Sequence, residues 1–265
     1  MGGDAPSGPI EGRVVLLAGP GDSTDIVANF LASRVPDLVL IVEEPPSRLQ
    51  MAKRRARRVG RLAAAGQVLF VALLLPALRR QGARRRADIL RAALVDETPR
   101  EPHHRVPSVN DAQVIALLSS LRPAVVVVNG TRIISARVLQ SAGCPFVNMH
   151  AGITPRYRGV HGGYWALAER HPEWVGTTVH LVDPGIDTGG ILAQSVFDVT
   201  SEDSFATYPF LHLVNGLPLL GAEIDKVMAG QVLTPASEGI ARGSRLFYHP
   251  TLWGYLRCRL LQGVR

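Results

Sequence analysis

The sequence predicts an α/β protein with a Rossmann-like, doubly wound, mostly parallel sheet, an inserted helical hairpin and a short C-terminal extension. Three observations predict this class. Short apolar runs typical of buried strands alternate with segments of helical periodicity. The 265 residues suit one large domain or two unequal ones, and 46% of them are hydrophobic. Glycine and proline, 26 and 19 residues, are too few to indicate low complexity.

The first strand, helix and second strand are predicted within residues 13–42. Residues 13–18 form an apolar run that ends in GPGD, and residues 23–33 show helical spacing with Ser23 or Thr24 as the expected cap. The second strand ends before two prolines, which cannot continue a β-ladder. This order is typical of a doubly wound sheet.

Residues 47–94 interrupt the alternation and are predicted to be the inserted hairpin. Its first part is a basic helix, and residues 63–78 are nearly all apolar but shorter than the about 20 residues of a membrane span. We expect residues 63–78 to form a buried helix. A peripheral membrane contact through this run, a membrane span and a homodimer contact through residues 68–78 are the alternatives.

The positive charge of the chain is concentrated in and around this insertion. Residues 46–105 contain 15 Lys and Arg but only 4 Asp and Glu, whereas the whole chain has a net charge of +7. The remainder of the chain is therefore acidic. Basicity is a property of one segment, which limits any contact with polyanions to that segment.

Regular structure is expected to resume at Ser108 and to complete a domain that spans residues 13–229. The β-branched run at residues 123–128 has the composition of a central parallel strand. Further strands are predicted at residues 145–149, 176–182 and 191–199, and helices at residues 110–120, 133–140, 162–170 and 203–229. The extension, residues 230–265, carries aromatic side chains that we expect to pack on this domain.

Compartment and cofactor classes are limited by simple counts. Cys144 and Cys258 lie far apart and form no Cys-x-x-Cys pair, so a reducing, cytoplasmic compartment is expected. Residues 1–12 contain neither the basic nor the apolar part of a secretory signal and are interpreted as a flexible leader. No two histidines have zinc-ligand spacing on a helix, and no metal site is expected.

The candidate chemistry lies within residues 146–194. Ligands of a parallel sheet bind beyond the carboxyl ends of its strands, and the strand at residues 145–149 places Asn148 and His150 there on one face. A later strand leads into a glycine-rich turn that carries Asp187. An amide, an imidazole and a carboxylate suit acyl transfer to nitrogen, because they can stabilise an oxyanion and relay protons. A purely structural role for each residue remains the alternative at this point.

Four ordered motifs follow one another in this stretch. They are Asn148-Met149-His150, Pro155-Arg156-Tyr157-Arg158-Gly159, Gly176-Thr177-Thr178-Val179-His180 and Ile186-Asp187-Thr188-Gly189-Gly190. Together they resemble the signature of the 10-formyltetrahydrofolate-dependent formyltransferases, which include glycinamide ribonucleotide, methionyl-tRNA and amino-sugar N-formyltransferases. The resemblance covers residues 105–200 well and residues 13–42 loosely.

The resemblance implies that Asn148, His150 and Asp187 are catalytic. Asn148 and His150 would stabilise the tetrahedral intermediate, and Asp187 would keep His150 charged and organise proton transfer. The cosubstrate implied is 10-formyltetrahydrofolate, without a metal. The residues implied to line its pterin pocket are Arg132, Ile134, Val182, Asp183 and Gly185.

The expected acceptor is a primary amine of a small molecule, such as an amino sugar or a sugar nucleotide. GPGDST does not match the phosphate loop of the purine enzyme. The tRNA enzyme carries a C-terminal nucleic-acid-binding domain for which residues 230–265 leave too little chain, so no specific nucleic acid partner is expected. Arg54, Arg55, Arg57 and Arg58 could hold an anionic acceptor or form a solvated basic face.

Two other functions remain open at this point. The three candidate catalytic residues could activate water, as in a 10-formyltetrahydrofolate hydrolase that releases formate without any amine. A non-catalytic protein that uses residues 47–94 as an anchor on a membrane or a nucleic acid is the third hypothesis, and it predicts no folate binding.

Overall fold

The computed structural model of the protein describes residues 12–238 and 243–265, with only the backbone of residues 48–50 and 52–54. The leader predicted at residues 1–12 therefore lies outside the described residues, apart from Gly12. The strands in chain order are β1 (Arg13–Ala18), β2 (Asp37–Glu43), β3 (His104–Val106), β4 (Val125–Asn129), β5 (Phe146–His150), β6 (Tyr157–Gly159), β7 (Gly176–Leu181), β8 (Ile191–Val196) and β9 (Arg245–Phe247). The α-helices are α1 (Asp22–Ala32), α2 (Arg48–Val59), α3 (Arg61–Leu69), α4 (Leu75–Ala92), α5 (Ala112–Leu121), α6 (Ala136–Ser141), α7 (Gly162–Ala168), α8 (Tyr208–Met228) and α9 (Leu252–Gln262).

In the described part of the chain, a seven-stranded sheet has the order β3-β2-β1-β4-β5-β7-β8. Neighbouring strands from β3 to β5 are parallel, whereas β7 pairs antiparallel with both β5 and β8. Strands β6 and β9 form a separate parallel pair. The predicted mostly parallel sheet is therefore confirmed.

The sheet is covered on both faces, which explains why its central strands are apolar throughout. Successive residues of a strand point to opposite faces: Val14 and Leu16 lie in a core with side chains of α1 and α8. Val15 and Leu17 lie in a second core with side chains of α5 and α6. This arrangement is the doubly wound architecture that the sequence predicts.

The insertion forms α2 and then one continuous helix made of α3, a π-helical turn (Phe70–Leu74) and α4. Arg61–Ala92 is the one described segment that is long and apolar enough to span a membrane by length and composition. The predicted burial of residues 63–78 is wrong, because Val68 and Leu73 are exposed. Only the opposite face of the helix packs on the protein.

Several predicted boundaries shift because local polar groups form turns. Helix α1 starts at Asp22 with Gly21 as its N-cap, and Thr24 donates its hydroxyl to the Gly19 carbonyl instead of capping the helix. Helix α8 starts later than residue 203, because Asp203 accepts from the N–H and hydroxyl of Thr200. Strand β3 precedes Ser108, and its three partly polar residues give no strand pattern.

Candidate active site

A cavity of about 920 Å³ lies at the carboxyl ends of β4 and β5. The loop after β4, the end of β5 and the loop after β7 line one part of it, and α2, α3 and the segment after β9 line another. All eight site residues predicted from the sequence line this cavity. They are Asn148, His150, Asp187, Arg132, Ile134, Val182, Asp183 and Gly185.

The register between β5 and β7 sets the position of Asn148. Asn148 lies directly opposite His180 in this antiparallel pair, and its Nδ2 is 3.1 Å from His180 Nε2. His180 Nδ1 donates to the Leu181 carbonyl oxygen at 2.7 Å, because a carbonyl can only accept. In the neutral ring, Nε2 then accepts from Asn148, which leaves the second amide hydrogen of Asn148 for a bound oxygen.

His150, the last residue of β5, is buried and has both ring nitrogens near oxygen atoms of the protein. Its Nε2 donates to the Tyr157 carbonyl oxygen at 2.7 Å. Its Nδ1 lies 3.4 Å from Asp187 Oδ2, longer than a charge-assisted hydrogen bond. Catalytic contacts are often long without substrate and shorten in the reacting complex.

Asp187 reaches His150 from the turn after β7, where its φ of +50° lies in the left-handed region that is unfavourable for a residue with a side chain. The Gly159 N–H donates to Asp187 Oδ2 at 2.8 Å, and Oδ1 is 3.6 Å from His180 Nε2. Gly159 also has a positive φ, and a Cβ there would lie 2.2 Å from the Phe247 carbonyl oxygen. The backbone at Asp187 and Gly159, which positions the carboxylate, therefore tolerates little change in sequence.

The pKa values of Asp187 and His150 are both lowered, which favours the charged form of Asp187 but the neutral form of His150. Burial alone would raise the pKa of Asp187. The contacts with His150, His180 and the Gly159 N–H lower it by more, so that the pKa is about 2. Burial lowers the pKa of His150 below its ordinary value, although Asp187 and the Tyr157 carbonyl oppose this effect. Asp187 is thus ionised, and it is the main group that favours a proton on His150.

The residues predicted to hold the pterin act in different ways. The Arg132 guanidinium pairs with buried Glu43, with 2.6 Å between Nε and Oε2, and the Arg132 N–H donates to the same carboxylate. Ile134 is buried, and Val182 packs beside it in the core below the cavity. These three positions offer backbone groups and apolar surface, since the Arg132 side chain is used within the protein.

Asp183 and Gly185 shape the turn that carries Asp187. Asp183 Oδ1 accepts from the Gly185 N–H at 3.0 Å and from the Thr188 hydroxyl at 2.5 Å. A Cβ at residue 185 would lie 1.8 Å from Thr188 Oγ1, so only glycine fits there. Both residues therefore position the loop as well as lining the cavity.

His180 and Arg158 have roles in the structure that the sequence did not predict, although both lie in the four motifs. Arg158 donates to the Ile186 carbonyl oxygen at 3.0 Å and to Ser244, so it holds the Asp187 turn next to β6. His180 becomes a site residue only through the antiparallel register of β5 and β7. No pattern in a single sequence specifies that register.

The other end of the cavity is lined by the insertion and by the segment after β9. Arg55, Arg58 and buried Gln67 contribute from the insertion, and Gln67 donates to the His249 carbonyl oxygen. Burial and the charge of Arg55 lower the pKa of His249 to about 4. Among the described side chains, no carboxylate pairs with Arg55 or Arg58. This end of the cavity therefore carries uncompensated positive charge.

Within residues 12–238 and 243–265, no group of three or more His, Cys, Asp or Glu side chains is arranged to hold a metal ion. The donor set near Asp187 consists of two histidines that already contact protein oxygens.

The chain is similar to known proteins in both sequence and structure. The model of the formyl transferase family matches residues 60–209. A methionyl-tRNA formyltransferase of Pelotomaculum thermopropionicum is 33% identical over 133 residues, which cover 50% of this chain and 42% of that protein. A methionyl-tRNA formyltransferase of Synechococcus sp. (strain JA-2-3B'a(2-13)) is 37% identical over 148 residues, or 54% and 43% of the two chains. The chain thus spans less than half the length of these curated relatives.

Two solved structures share the fold at low sequence identity. An N-formyltransferase from Helicobacter canadensis, in complex with folinic acid and dTDP-3-aminofucose, is 15% identical with a TM-score of 0.54 over 88% of this chain and 70% of that one. Glycinamide ribonucleotide transformylase 1 from Symbiobacterium toebii is 17% identical with a TM-score of 0.53 over 86% and 94%. At these identities the likeness concerns the fold alone.

Proposed function

Since the chain belongs to the formyl transferase family, we propose that it transfers a formyl group from 10-formyltetrahydrofolate to the primary amine of a small-molecule acceptor. The family match covers residues 60–209, more than half of the chain, and it confirms the resemblance drawn from the four motifs. The observation that carries the proposal is the meeting of Asn148, His150 and Asp187 around one cavity at the carboxyl edge of the sheet.

The chemistry required is an attack of the amine nitrogen on the formyl carbon. A new C–N bond forms, negative charge develops on the formyl oxygen, and the bond from carbon to the folate nitrogen then breaks. The free amide hydrogen of Asn148 would donate to this oxygen, and His150 would add a second donor at Nδ1 when it takes a proton beside Asp187, since its Nε2 already donates to the Tyr157 carbonyl. Both residues end at the same strand face, so one oxygen could contact both.

Asp187 would supply the proton balance. The attacking amine loses a proton and the folate nitrogen gains one, so no net proton is released by the transfer itself. Because Asp187 stays ionised with a pKa of about 2, it can stabilise a proton on His150 or receive one through a bound water. Its fixed contact with the Gly159 N–H keeps the carboxylate in place during this exchange.

The folate end of the cavity suits a flat bicyclic ring. Ile134 and Val182 provide apolar surface there, and the turn around Asp183 and Gly185 lines the cavity beside them. The cavity volume of about 920 Å³ is within the range of ligand sites that enclose a drug-sized molecule. These features support 10-formyltetrahydrofolate as the cosubstrate.

For the acceptor, the uncompensated charge of Arg55 and Arg58 favours an amine that also carries an anionic group. Guanidinium groups bind phosphates well because they offer two parallel donors. An amino sugar linked to a phosphate or diphosphate has this chemistry. The curated relatives act on methionyl-tRNA by name, but the chain aligns with less than half of each of them.

The proposal is tested by incubating the full chain with 10-formyltetrahydrofolate and a panel of amines, including phosphorylated amino sugars and methionyl-tRNA. We expect an acceptor amine to gain one carbonyl unit by mass spectrometry, with formate released only slowly when no amine is present. Formate release at full rate without amine would instead indicate the hydrolase. No folate binding and no product would contradict both enzyme hypotheses.

A further inference from the structure

One surface of the molecule carries apolar side chains that no described part of the chain covers. On the helix Arg61–Ala92, Leu62 and Leu73 have 77% and 65% of their surface exposed, and Val68 and Leu69 are also exposed. The neighbouring α9 adds further exposed apolar side chains, namely Trp253, Leu256, Leu260 and Leu261. We name these eight residues the apolar face. Scattered exposed leucines are common, but a cluster on two adjoining helices is not.

Helices α3 and α9 meet through a close contact that joins their exposed sides. The Trp253 ring lies so near Gly66 that a Cβ at this glycine would be 2.3 Å from the ring. Trp253 therefore packs against α3 and places the two helices side by side. Substitution of Gly66 would separate them.

The same long helix is anchored to the protein on its other side. Phe70 is fully buried and contacts the rings of Phe205 and Tyr255, while Leu78 lies in the same core. A helix that crosses a bilayer must have lipid or other membrane segments around it. A helix with one packed and one exposed apolar face is instead suited to lie on a membrane surface.

Basic residues flank the apolar face, and acidic residues are absent from the same parts of the sequence. Residues 45–87 contain no Asp or Glu, and none follows Glu238. Exposed arginines lie before the face, at Arg57, Arg58 and Arg61, and after it, at Arg79, Arg80 and Arg84. Basic residues near an anionic lipid surface are attracted to its headgroups.

We propose that the apolar face docks on the surface of an anionic lipid bilayer, with the leucines among the acyl chains and the arginines at the headgroups. Leucine side chains at its centre are typical of lipid contact, whereas RNA binding needs aromatic platforms and phosphate contacts. A second copy of the chain would bring two sets of arginines together without acidic partners, which is unfavourable. Charge and hydrophobicity together therefore favour the bilayer.

The docked orientation has a consequence for the cavity, and this step rests on the proposed function. Helix α2 contributes Arg55 and Arg58 to the cavity, and it precedes the apolar face directly. Because an α-helix is only about 10 Å wide, docking would hold the cavity close to the headgroups. An anionic amine carried by a lipid or delivered at the membrane surface is the acceptor class that this arrangement fits.

The test is sedimentation of the full chain with vesicles, which does not depend on catalysis. We expect binding to vesicles of phosphatidylcholine and phosphatidylglycerol, much weaker binding to phosphatidylcholine alone, and weaker binding at high salt. The variant Leu62→Gln/Leu69→Gln/Leu73→Gln should lose binding by at least about tenfold. The matched control replaces exposed apolar residues elsewhere, as Leu94→Gln/Val196→Gln/Val232→Gln, and should bind normally.

Thermal unfolding shows whether each variant is folded, and sedimentation velocity gives its oligomeric state. The proposal is overturned if the folded wild type stays in the supernatant with anionic vesicles, or if the control loses as much binding as the triple variant. A dimer that dissociates in the triple variant would assign the face to a second copy instead. Binding of RNA that competes fully with the vesicles, unchanged in the triple variant, would also contradict docking through the apolar face.

Discussion

The cavity and the apolar face differ in how far their side chains have partners within the protein. At one end of the cavity, Asp187 faces two histidines and a backbone N–H, so its carboxylate has partners within the protein. On the apolar face, leucines lie in solvent and the flanking arginines lack carboxylate neighbours in the sequence. The polar groups around Asp187 are therefore held in place before any substrate binds, whereas the apolar face is left exposed.

Substitutions on the two sides of the helix Arg61–Ala92 should differ most in their effect on stability. Phe70→Ala should lower the free energy of unfolding by about 3–5 kcal/mol, because it removes a fully buried ring from its core. Leu73→Ala, three residues away on the exposed side, should change it by less than about 0.5 kcal/mol. Urea unfolding measures both values. Equal losses in the two variants would mean that the exposed side is covered in solution.

Within the cavity, Asn148→Ala should lower turnover by about 100-fold or more, because it removes a donor to the developing negative charge. Binding of folinic acid should persist, since Asn148 is not among the residues predicted to hold the pterin. Steady-state kinetics and calorimetry separate the two effects. Unchanged turnover would show that the Asn148 amide serves only to orient His180.

A buried histidine behind the cavity makes stability sensitive to acid. Burial lowers the pKa of His212 to about 3, below its ordinary value of 6.5, so the unfolded chain binds a proton there first. Stability is therefore lost as the pH falls from about 6.5 towards 3, by up to about 1.4 kcal/mol per pH unit. His212→Gln should reduce this slope in unfolding experiments at several pH values, and His150, His161 and His249, whose pKa values burial also lowers, should account for the remainder. The same slope in both proteins would contradict this assignment.

The positive end of the cavity should show a smaller effect, confined to the acceptor. Arg55→Gln/Arg58→Gln should raise the KM for an anionic acceptor by about tenfold and reduce its salt dependence, with little change in kcat. Arg57→Gln is the matched control, because it lies on the same helix outside the cavity lining. If the control has the same effect, the arginines act as a general basic surface.

The elements that could be predicted from the sequence are those that depend on local patterns of apolar and polar residues. Apolar runs gave the parallel strands, and the spacing of Asn148 and His150 placed both at the carboxyl edge of the sheet. The roles of His180 and Arg158 could not be predicted, because they depend on strand register and on loops that meet only in the fold.

The insertion shows a second feature that could not be predicted from the sequence, namely which side of its long helix is buried. Residues 63–78 are apolar all round, and periodicity alone does not tell which side the protein covers. The structure places Phe70 inside and Leu62 outside, a difference that depends on the aromatic side chains contributed by distant parts of the chain, Phe205 and Tyr255.

The joint action of Asp187 and His150 in formyl transfer is the core of the proposed function. It is tested most directly by the rate of transfer from 10-formyltetrahydrofolate to an acceptor amine found in the panel, measured for Asp187→Asn, His150→Ala and wild type. We predict that each variant loses at least about 100-fold in turnover while it keeps its fold and binds folinic acid. Turnover within about threefold of wild type in either folded variant would contradict the claim.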